Sequence, residues 1–205
     1  MAVEHFGRLG LEGASTRAIA RDAETPMSSI TYHFGGKYGL YLAAADHIAA
    51  YMQARIEPIV ARAAQLSSSA GDGLAARDAI HTIIGGMTSV MLDDQTAAMS
   101  RFIVREQADP TEAFTRIYQG VMGQLLDRLS GLLMRMSGNR LDDAAARVRA
   151  MTLVGQVLVF RVARATVMTG MDWTRIGADE AAMILRAIAM NLDAILDQLQ
   201  AGDAE

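Results

Sequence analysis

Apolar residues recur every three or four positions through most of this chain, which is the spacing of an amphipathic helix. The pattern predicts helices over residues 1–9, 15–23, 25–34, 37–64, 74–92, 95–107, 109–136, 141–169 and 179–200. Glycine, serine and aspartate interrupt it at 67–73 and 171–177, where we expect a loop and a connector. No useful length alternates apolar with polar residues as a strand would, so the predicted fold class is all-α.

Two short helices near the N-terminus are separated by a tight turn. Ser15 is a suitable N-cap for the first helix, and Thr25 for the second, with Pro26 in its first turn. The residues expected to face a core are Ala18, Ile19, Ala23, Ile30 and Phe34. The outer face of the second helix then carries Ser28, Ser29, Thr31, Tyr32 and His33. Hydroxyl, phenol and imidazole groups on a short helix suit phosphates and base edges, and the pattern is that of a helix-turn-helix.

Composition and charge narrow the classes of function. The 205 residues include no cysteine, which excludes disulfides and thiolate chemistry and fits a cytoplasmic protein. No leader is visible, and the most apolar run, 157–168, is short and interrupted by two arginines, so we expect no membrane partner. The net charge is −4, and residues 1–40 are formally neutral. Any DNA contact must therefore come from a few placed groups and helix N-termini.

Lys37 is the only lysine in the chain and stands at the start of a predicted helix. The helix dipole disfavours a cation there unless an anion bridges it. A DNA phosphate would supply that anion, whereas an ordinary surface lysine has no reason to occupy this position.

The residues that usually carry catalysis are scattered. The four histidines, at 5, 33, 47 and 81, lack the spacing of a metal site, and no Ser-His-Asp set is supported. Asp93-Asp94 and Asp142-Asp143 stand at predicted helix ends, where they serve as caps. We therefore expect no enzyme, no catalytic residues, no metal and no cofactor.

Four blocks carry a specific resemblance: 6–10, 15–20, 30–34 and 37–41. In order and spacing, residues 2–42 resemble the DNA-binding domain of the TetR family of bacterial transcriptional regulators. Residues 105–122 resemble the branch of that family with a CecR-like C-terminal domain. The resemblance implies a DNA-binding domain over 1–45 and a larger ligand-binding and dimerisation domain over 46–205. The first helix is longer in the family and follows a polar arm, so the N-terminus is expected to be short.

The resemblance also implies roles for individual residues. Thr16 and Arg17 would touch phosphate, the alternative being a helix cap and a solvated arginine. Positions that meet base edges in the family are Met27, Ser28, Ser29 and Thr31. The positions expected at phosphate or sugar are Tyr32, His33 and Lys37. Because no Asn, Gln, Arg or Lys lies on that helix, we expect modest direct readout and more reliance on DNA shape.

For the large domain the resemblance implies a ligand cavity and a dimer interface. The expected lining residues are Phe102, Phe114, Tyr118, Met122, Gln156 and Phe160, with plain core filling as the alternative. Arg161 and Arg164 would either meet a polar ligand group or pair with acids of neighbouring helices. The expected dimer stripes are Val148, Thr152, Gly155, Val159 and Val162, and in the last helix Ala181, Ile184, Leu185, Ile188, Leu192, Ile195, Leu196 and Leu199. Burial within one monomer is the alternative for both stripes.

The function implied is that of a ligand-responsive repressor. It would bind a double-stranded DNA operator as a homodimer through its last two helices, and a small apolar or amphipathic effector would release it. The alternative is a helical protein of the same fold that binds a small molecule and has weak or lost DNA binding.

Overall fold

The structure, a computed structural model, describes residues 1–68 and 72–202, which contain helices and no strand. The helices are α1 (Ala2–Gly13), α2 (Thr16–Asp22), α3 (Met27–Phe34), α4 (Lys37–Ser68), α5 (Asp72–Leu92), α6 (Ala97–Ala108), α7 (Glu112–Ile117), α8 (Gly123–Met136), α9 (Asp143–Val162), α10 (Arg164–Gly170) and α11 (Ala178–Ala201). A 3-10 turn covers Asp94–Thr96 and a π-helical turn covers Tyr118–Met122. The all-α prediction is confirmed. Most of the loop expected at 67–73 lies outside the described residues.

The chain forms two compact units. The first contains Met1–Gln53 and Gln95–Gly123, and the second contains Ala54–Asp94 and Gln124–Glu205. This grouping differs from the expected division at residues 45 and 46, because α6 packs against α1 and α7 packs against α6 in the first unit. The functional division into 1–45 and 46–205 stays a prediction.

An aromatic cluster forms the centre of the first unit. The rings of Tyr41 and Phe102 stack with centroids 4.6 Å apart, and Phe6 meets the edge of Tyr41 at 4.9 Å. These three side chains come from α4, α6 and α1, so the cluster joins the helices that surround the helix-turn-helix. The second unit has an aliphatic core built from α5, α8, α9 and α11, which includes Ile80, Ile84, Leu129, Leu133, Leu153 and Leu196.

Several predicted helix boundaries are wrong. The first helix continues to Gly13 across a break at Gly10, whose φ of 72° suits glycine. The helix expected over 109–136 is divided by the π-helical turn. The helix expected over 141–169 is broken at Ala163, and its two halves meet at 74°. Arg161 and Arg164, on either side of the break, bind the carbonyl of Asp93 and the carboxylate of Asp94. Arg164 thus pairs with an acid, which is the second of the two roles considered, whereas Arg161 binds a backbone carbonyl instead.

The stripe expected on the last helix lies mainly inside one chain. Ile184, Ile188, Leu192, Leu196 and Leu199 are at most 4% exposed. Their part of the dimer prediction is therefore wrong, because they fill the core of the second unit. The stripe expected on α9 is exposed at all five of its positions. By length and composition no single helix among the described residues could span a membrane, and only the bent pair α9 and α10 passes that test together.

Candidate nucleic-acid interface

The helix-turn-helix is held by local contacts and a small apolar interior. The Ser15 hydroxyl accepts a hydrogen bond from the Ala18 N–H at 3.4 Å, so the predicted cap is confirmed. Ile19 and Ile30 are buried at 3% and 5% exposure and hold α2 and α3 on the first unit. The turn between the two helices has Glu24 at a φ of 51°, and the Thr25 N–H donates to the Ala20 carbonyl at 2.9 Å.

Three local predictions at the helix ends are wrong. Thr25 does not cap α3, because Pro26 occupies the N-cap position and makes no side-chain cap. Ala23 is exposed because it follows the last turn of α2. Phe34 is 40% exposed because it ends α3 immediately before Gly35, which adopts the left-handed conformation at a φ of 70°.

The outer face of α3 presents the expected polar groups. Tyr32 is 85% exposed and Met27 is 45% exposed. Ser28, Thr31 and His33 are also exposed, and Ser29 is half-buried. The rings of Tyr32 and His33 meet edge to face at 4.9 Å. These side chains therefore form one accessible surface of hydroxyl, phenol, imidazole and thioether groups, while the adjacent Ile30 anchors the helix.

Lys37 has an acceptor within the chain. Its Nζ donates to the Glu12 carbonyl at 2.8 Å, in the last turn of α1. That end of a helix carries partial negative charge and unpaired carbonyls, so a lysine stabilises it. The argument that only an external anion explains this lysine is therefore wrong, although a DNA contact from Lys37 stays a prediction.

The remaining charges near the helix-turn-helix are partly neutralised. Asp22 accepts from His5 Nε2 at 2.8 Å and from Arg21 Nε at 3.0 Å. These bonds, that from His5 first, lower the pKa of the Asp22 carboxyl. Arg17 is exposed and makes no hydrogen bond or ion pair with the described residues, while Thr16 is half-buried. Arg17 is thus the cation of α2 that is free to meet a phosphate.

Helix α6 supports the helix-turn-helix through α1. Arg105 donates to the carbonyls of Gly7 at 3.1 Å and Arg8 at 2.8 Å. These carbonyls precede the break at Gly10, where regular helical partners are lost. A side chain at Gly7 would come within 2.8 Å of the Ala98 carbonyl, so α1 and α6 are closely packed. This contact joins residues 98 positions apart, so no local sequence pattern indicates it.

Glu106 is the centre of a buried polar cluster that the sequence analysis also missed. Its side chain is 2% exposed and accepts from the Tyr41 hydroxyl at 2.5 Å. It also accepts from the Thr111 N–H and hydroxyl and from the Phe114 N–H, at 2.9–3.0 Å. Burial raises the pKa of Tyr41, and the hydrogen bond to Glu106 raises it further, so the hydroxyl stays protonated and acts as a donor. The only sequence signal was the helix start expected at residue 109, which is wrong by three residues because Thr111 caps α7 and the helix begins at Glu112.

The six expected ligand-lining residues are divided between the two units. Phe102 is fully buried against Tyr41, and Phe114 stacks on Tyr118 at 5.9 Å. Met122 ends the π-helical turn that begins at Tyr118. Gln156 accepts from Asn191 at 3.4 Å on an exposed side of the second unit, which also contains the half-buried Phe160. Their role in ligand binding stays a prediction. Among residues 1–68 and 72–202, no three His, Asp or Glu side chains are grouped as a metal site.

Comparison with known proteins covers both parts of the chain. The family model of the C-terminal domain of HTH-type transcriptional dual regulator CecR matches residues 76–199, and that of bacterial regulatory proteins of the tetR family matches residues 1–44. The dual regulator CecR of Shigella flexneri is 31% identical over 199 residues, which are 97% of this chain and 89% of the relative.

Solved structures agree on the fold. A transcriptional regulator from Pseudomonas aeruginosa PAO1 superposes with a TM-score of 0.69 at 20% identity, over 98% of this chain and 87% of that one. AibR, crystallised with isovaleryl coenzyme A and operator DNA, superposes with a TM-score of 0.65 at 14% identity, over 92% of this chain and 94% of its own.

Proposed function

Because the chain belongs to the TetR family of bacterial transcriptional regulators and has a CecR-type C-terminal domain, we propose that it is a ligand-responsive repressor that acts as a homodimer. The observation that carries the proposal is the accessible polar face of α3, on which Tyr32 is 85% exposed. A half-buried helix with this face fits the second helix of a helix-turn-helix, which lies in the major groove. Two copies would contact successive major grooves, roughly 34–36 Å apart.

Exposed apolar residues on α9 and α11 support the homodimer. Val148 and Val162 of α9 are 61% and 58% exposed, and Met190 of α11 is 72% exposed. The hydrogen bond between Gln156 and Asn191 joins the two helices. Apolar side chains exposed in this number on neighbouring helices are typical of a surface that another chain covers. The exposed sides of α9 and α11 would therefore form the dimer interface, while the buried stripe of α11 packs in the core of its own chain.

A small amphipathic effector is supported by the fold that this chain shares with AibR, whose structure contains isovaleryl coenzyme A together with operator DNA. An effector regulates DNA binding when it has different affinities for two arrangements of the dimer. It would release the operator if it binds more tightly to the arrangement that does not fit successive grooves.

DNA binding is tested by fluorescence anisotropy with the DNA upstream of the protein's own gene and a shuffled duplex of equal length. We expect tighter binding to the upstream DNA and a steep loss of affinity between 50 and 200 mM salt, as phosphate contacts require. Arg17→Gln should lower the salt slope by about one. The charge-matched control is Arg62→Gln, an exposed arginine of α4 outside the helix-turn-helix, which should leave the slope unchanged.

The absence of binding to either duplex at low salt would contradict the proposal. It would favour a protein of this fold that binds a small molecule without reading DNA. The formally neutral N-terminal region and the internal acceptor of Lys37 are the observations on that side.

A further inference from the structure

A cleft of about 410 Å³ opens on the second unit, between the later part of α4, α5 and α8. Its volume falls within the roughly 300–1,000 Å³ of small-molecule sites in proteins. None of the six residues expected to line a ligand cavity borders it. The cleft is therefore a separate candidate for a binding site.

The floor of the cleft is apolar and well packed. Ala63, Ile83 and Leu132 line it and are each at most 6% exposed. Next to it, a side chain at Gly86 of α5 would come within 2.6 Å of Ile59 of α4. The two helices that form this wall are thus in close contact and provide a preformed apolar surface.

The rim of the cleft on α8 is positively charged. Arg128 and Arg135 both line the cleft and are both exposed. They lie seven residues apart, so they share one face of the helix about 10 Å apart along its axis. Neither makes a hydrogen bond or an ion pair with residues 1–68 and 72–202. Asp127 also lines the cleft, but its carboxylate is bound by Arg147 at 2.7 Å, which offsets its negative charge.

Gly131 leaves open space between the two arginines. It lines the cleft midway between them, and a side chain built there would meet no atom within 4 Å. A helix-interior glycine weakens a helix relative to alanine, so this position gains space over the apolar floor at a cost in helix stability. The space is therefore bounded by an apolar floor and two guanidinium groups.

We propose that this cleft binds a small amphipathic anion. The apolar part of the ligand would lie on Ala63, Ile83 and Leu132, and its carboxylate or phosphate would lie over Gly131 between Arg128 and Arg135. Guanidinium groups bind such planar or tetrahedral anions through paired, charge-assisted hydrogen bonds. The proposal deepens the proposed function by naming the chemistry of a candidate effector. The role of the anion as an effector rests on the proposed function, whereas its binding in the cleft does not.

The test is isothermal titration calorimetry of the full chain with four probes. Octanoate and octyl phosphate carry both the apolar part and an anionic head, and they distinguish a carboxylate ligand from a phosphate ligand. 1-Octanol lacks the charge and acetate lacks the apolar part. We expect one of the two amphipathic anions to bind with one site per chain, at least about tenfold more tightly than 1-octanol or acetate.

Variants locate the site. Arg128→Gln and Arg135→Gln should each weaken binding about tenfold, while Arg62→Gln, with the same change of charge outside the cleft, should not. Gly131→Leu should abolish binding by filling the cleft. Its matched control is Gly85→Leu on α5, where a side chain also meets no atom within 4 Å and which does not line the cleft. Because both changes replace a helix-interior glycine, neither should lower the melting temperature.

The proposal is overturned if neither anion binds, if 1-octanol binds as tightly as octanoate, or if Gly131→Leu binds as the wild type does. It is also overturned if Arg128→Gln and Arg135→Gln weaken binding of the anion no more than Arg62→Gln does. DNA affinity is measured in separate titrations. A protein that binds the anion but no DNA would overturn the proposed repressor function and leave the cleft as a binding site.

Discussion

Removing the Tyr41 hydroxyl tests the buried cluster that joins α4, α6 and α7. Tyr41→Phe keeps the ring that stacks on Phe102 and meets Phe6, so the aromatic packing is preserved. It deletes only the donor that lies 2.5 Å from Glu106. The carboxylate keeps its donors from Thr111 and Phe114. The substitution therefore isolates one hydrogen bond to a buried acceptor.

The expected loss follows from burial. Glu106 is 2% exposed, so water does not replace the missing hydroxyl. A hydrogen bond to a charged group contributes about 1.5–3 kcal/mol. For a chain of this size, each kcal/mol shifts the melting temperature by about 2–4 °C. The variant should consequently melt roughly 3–12 °C below the wild type.

The assay is thermal unfolding followed by circular dichroism, at equal protein concentrations because a dimer's melting temperature depends on concentration. The matched control is Tyr38→Phe, one turn earlier in α4, where the exposed hydroxyl lies 3.4 Å from Glu112. Water and salt screen surface interactions of that kind, so the control should change the melting temperature little. Equal melting temperatures for Tyr41→Phe and Tyr38→Phe would refute the assignment of the buried cluster as a stabilising link.

Three further changes test other contacts. Arg105→Met removes the hydrogen-bond donors that hold α1, so it should lower the melting temperature and weaken binding to all DNA sequences alike. Unchanged DNA affinity would contradict the role of Arg105 in supporting the helix-turn-helix. The hydrogen bond from Arg77, and to a smaller extent His81, lowers the pKa of Asp193. The ionised carboxylate therefore stabilises the fold above about pH 4, and this contribution is lost as the pH falls below that value. Asp193→Asn should flatten the acid side of the stability–pH curve, and an unaltered curve would exclude this ion pair as the cause of acid unfolding. Met190→Asp should shift the sedimentation profile from dimer to monomer while Met171→Asp, on the connector, should not; a dimeric Met190→Asp would place the interface elsewhere.

Features with short-range causes could be predicted from the sequence. The Ser15 cap, the two helices of the helix-turn-helix and the exposed face of α3 all follow from a few neighbouring residues. Errors at Thr25, Ala23 and Phe34 stand within two residues of a helix end, where a shift of one position turns a side chain by about 100°. Element type is therefore predictable from periodicity, while the last residue of each helix is not.

Features with long-range causes could not be predicted. The break at Ala163 accompanies contacts of Arg161 and Arg164 with Asp93 and Asp94, about 70 residues earlier in the chain. Periodicity marked the apolar stripe of α11 but did not distinguish burial in the same chain from burial against a second copy. The Glu106 cluster joins residues 65 positions apart. These contacts depend on the packing of whole helices, which no local pattern contains.

The acceptor found for Lys37 changes how a formally neutral domain would bind DNA. An ammonium group has three donors, and the bond to the Glu12 carbonyl uses one of them. Lys37 can therefore bind the end of α1 and still donate to a phosphate. A substitution of Lys37 would then affect both the support of α1 and the contact with DNA. Arg17 makes no such bond to residues 1–68 and 72–202, so we expect its substitution to report on phosphate contact alone. If Arg17 and Lys37 are the main cations at the DNA, one protomer offers few phosphate contacts, and we expect a dimer to increase DNA affinity by doubling them.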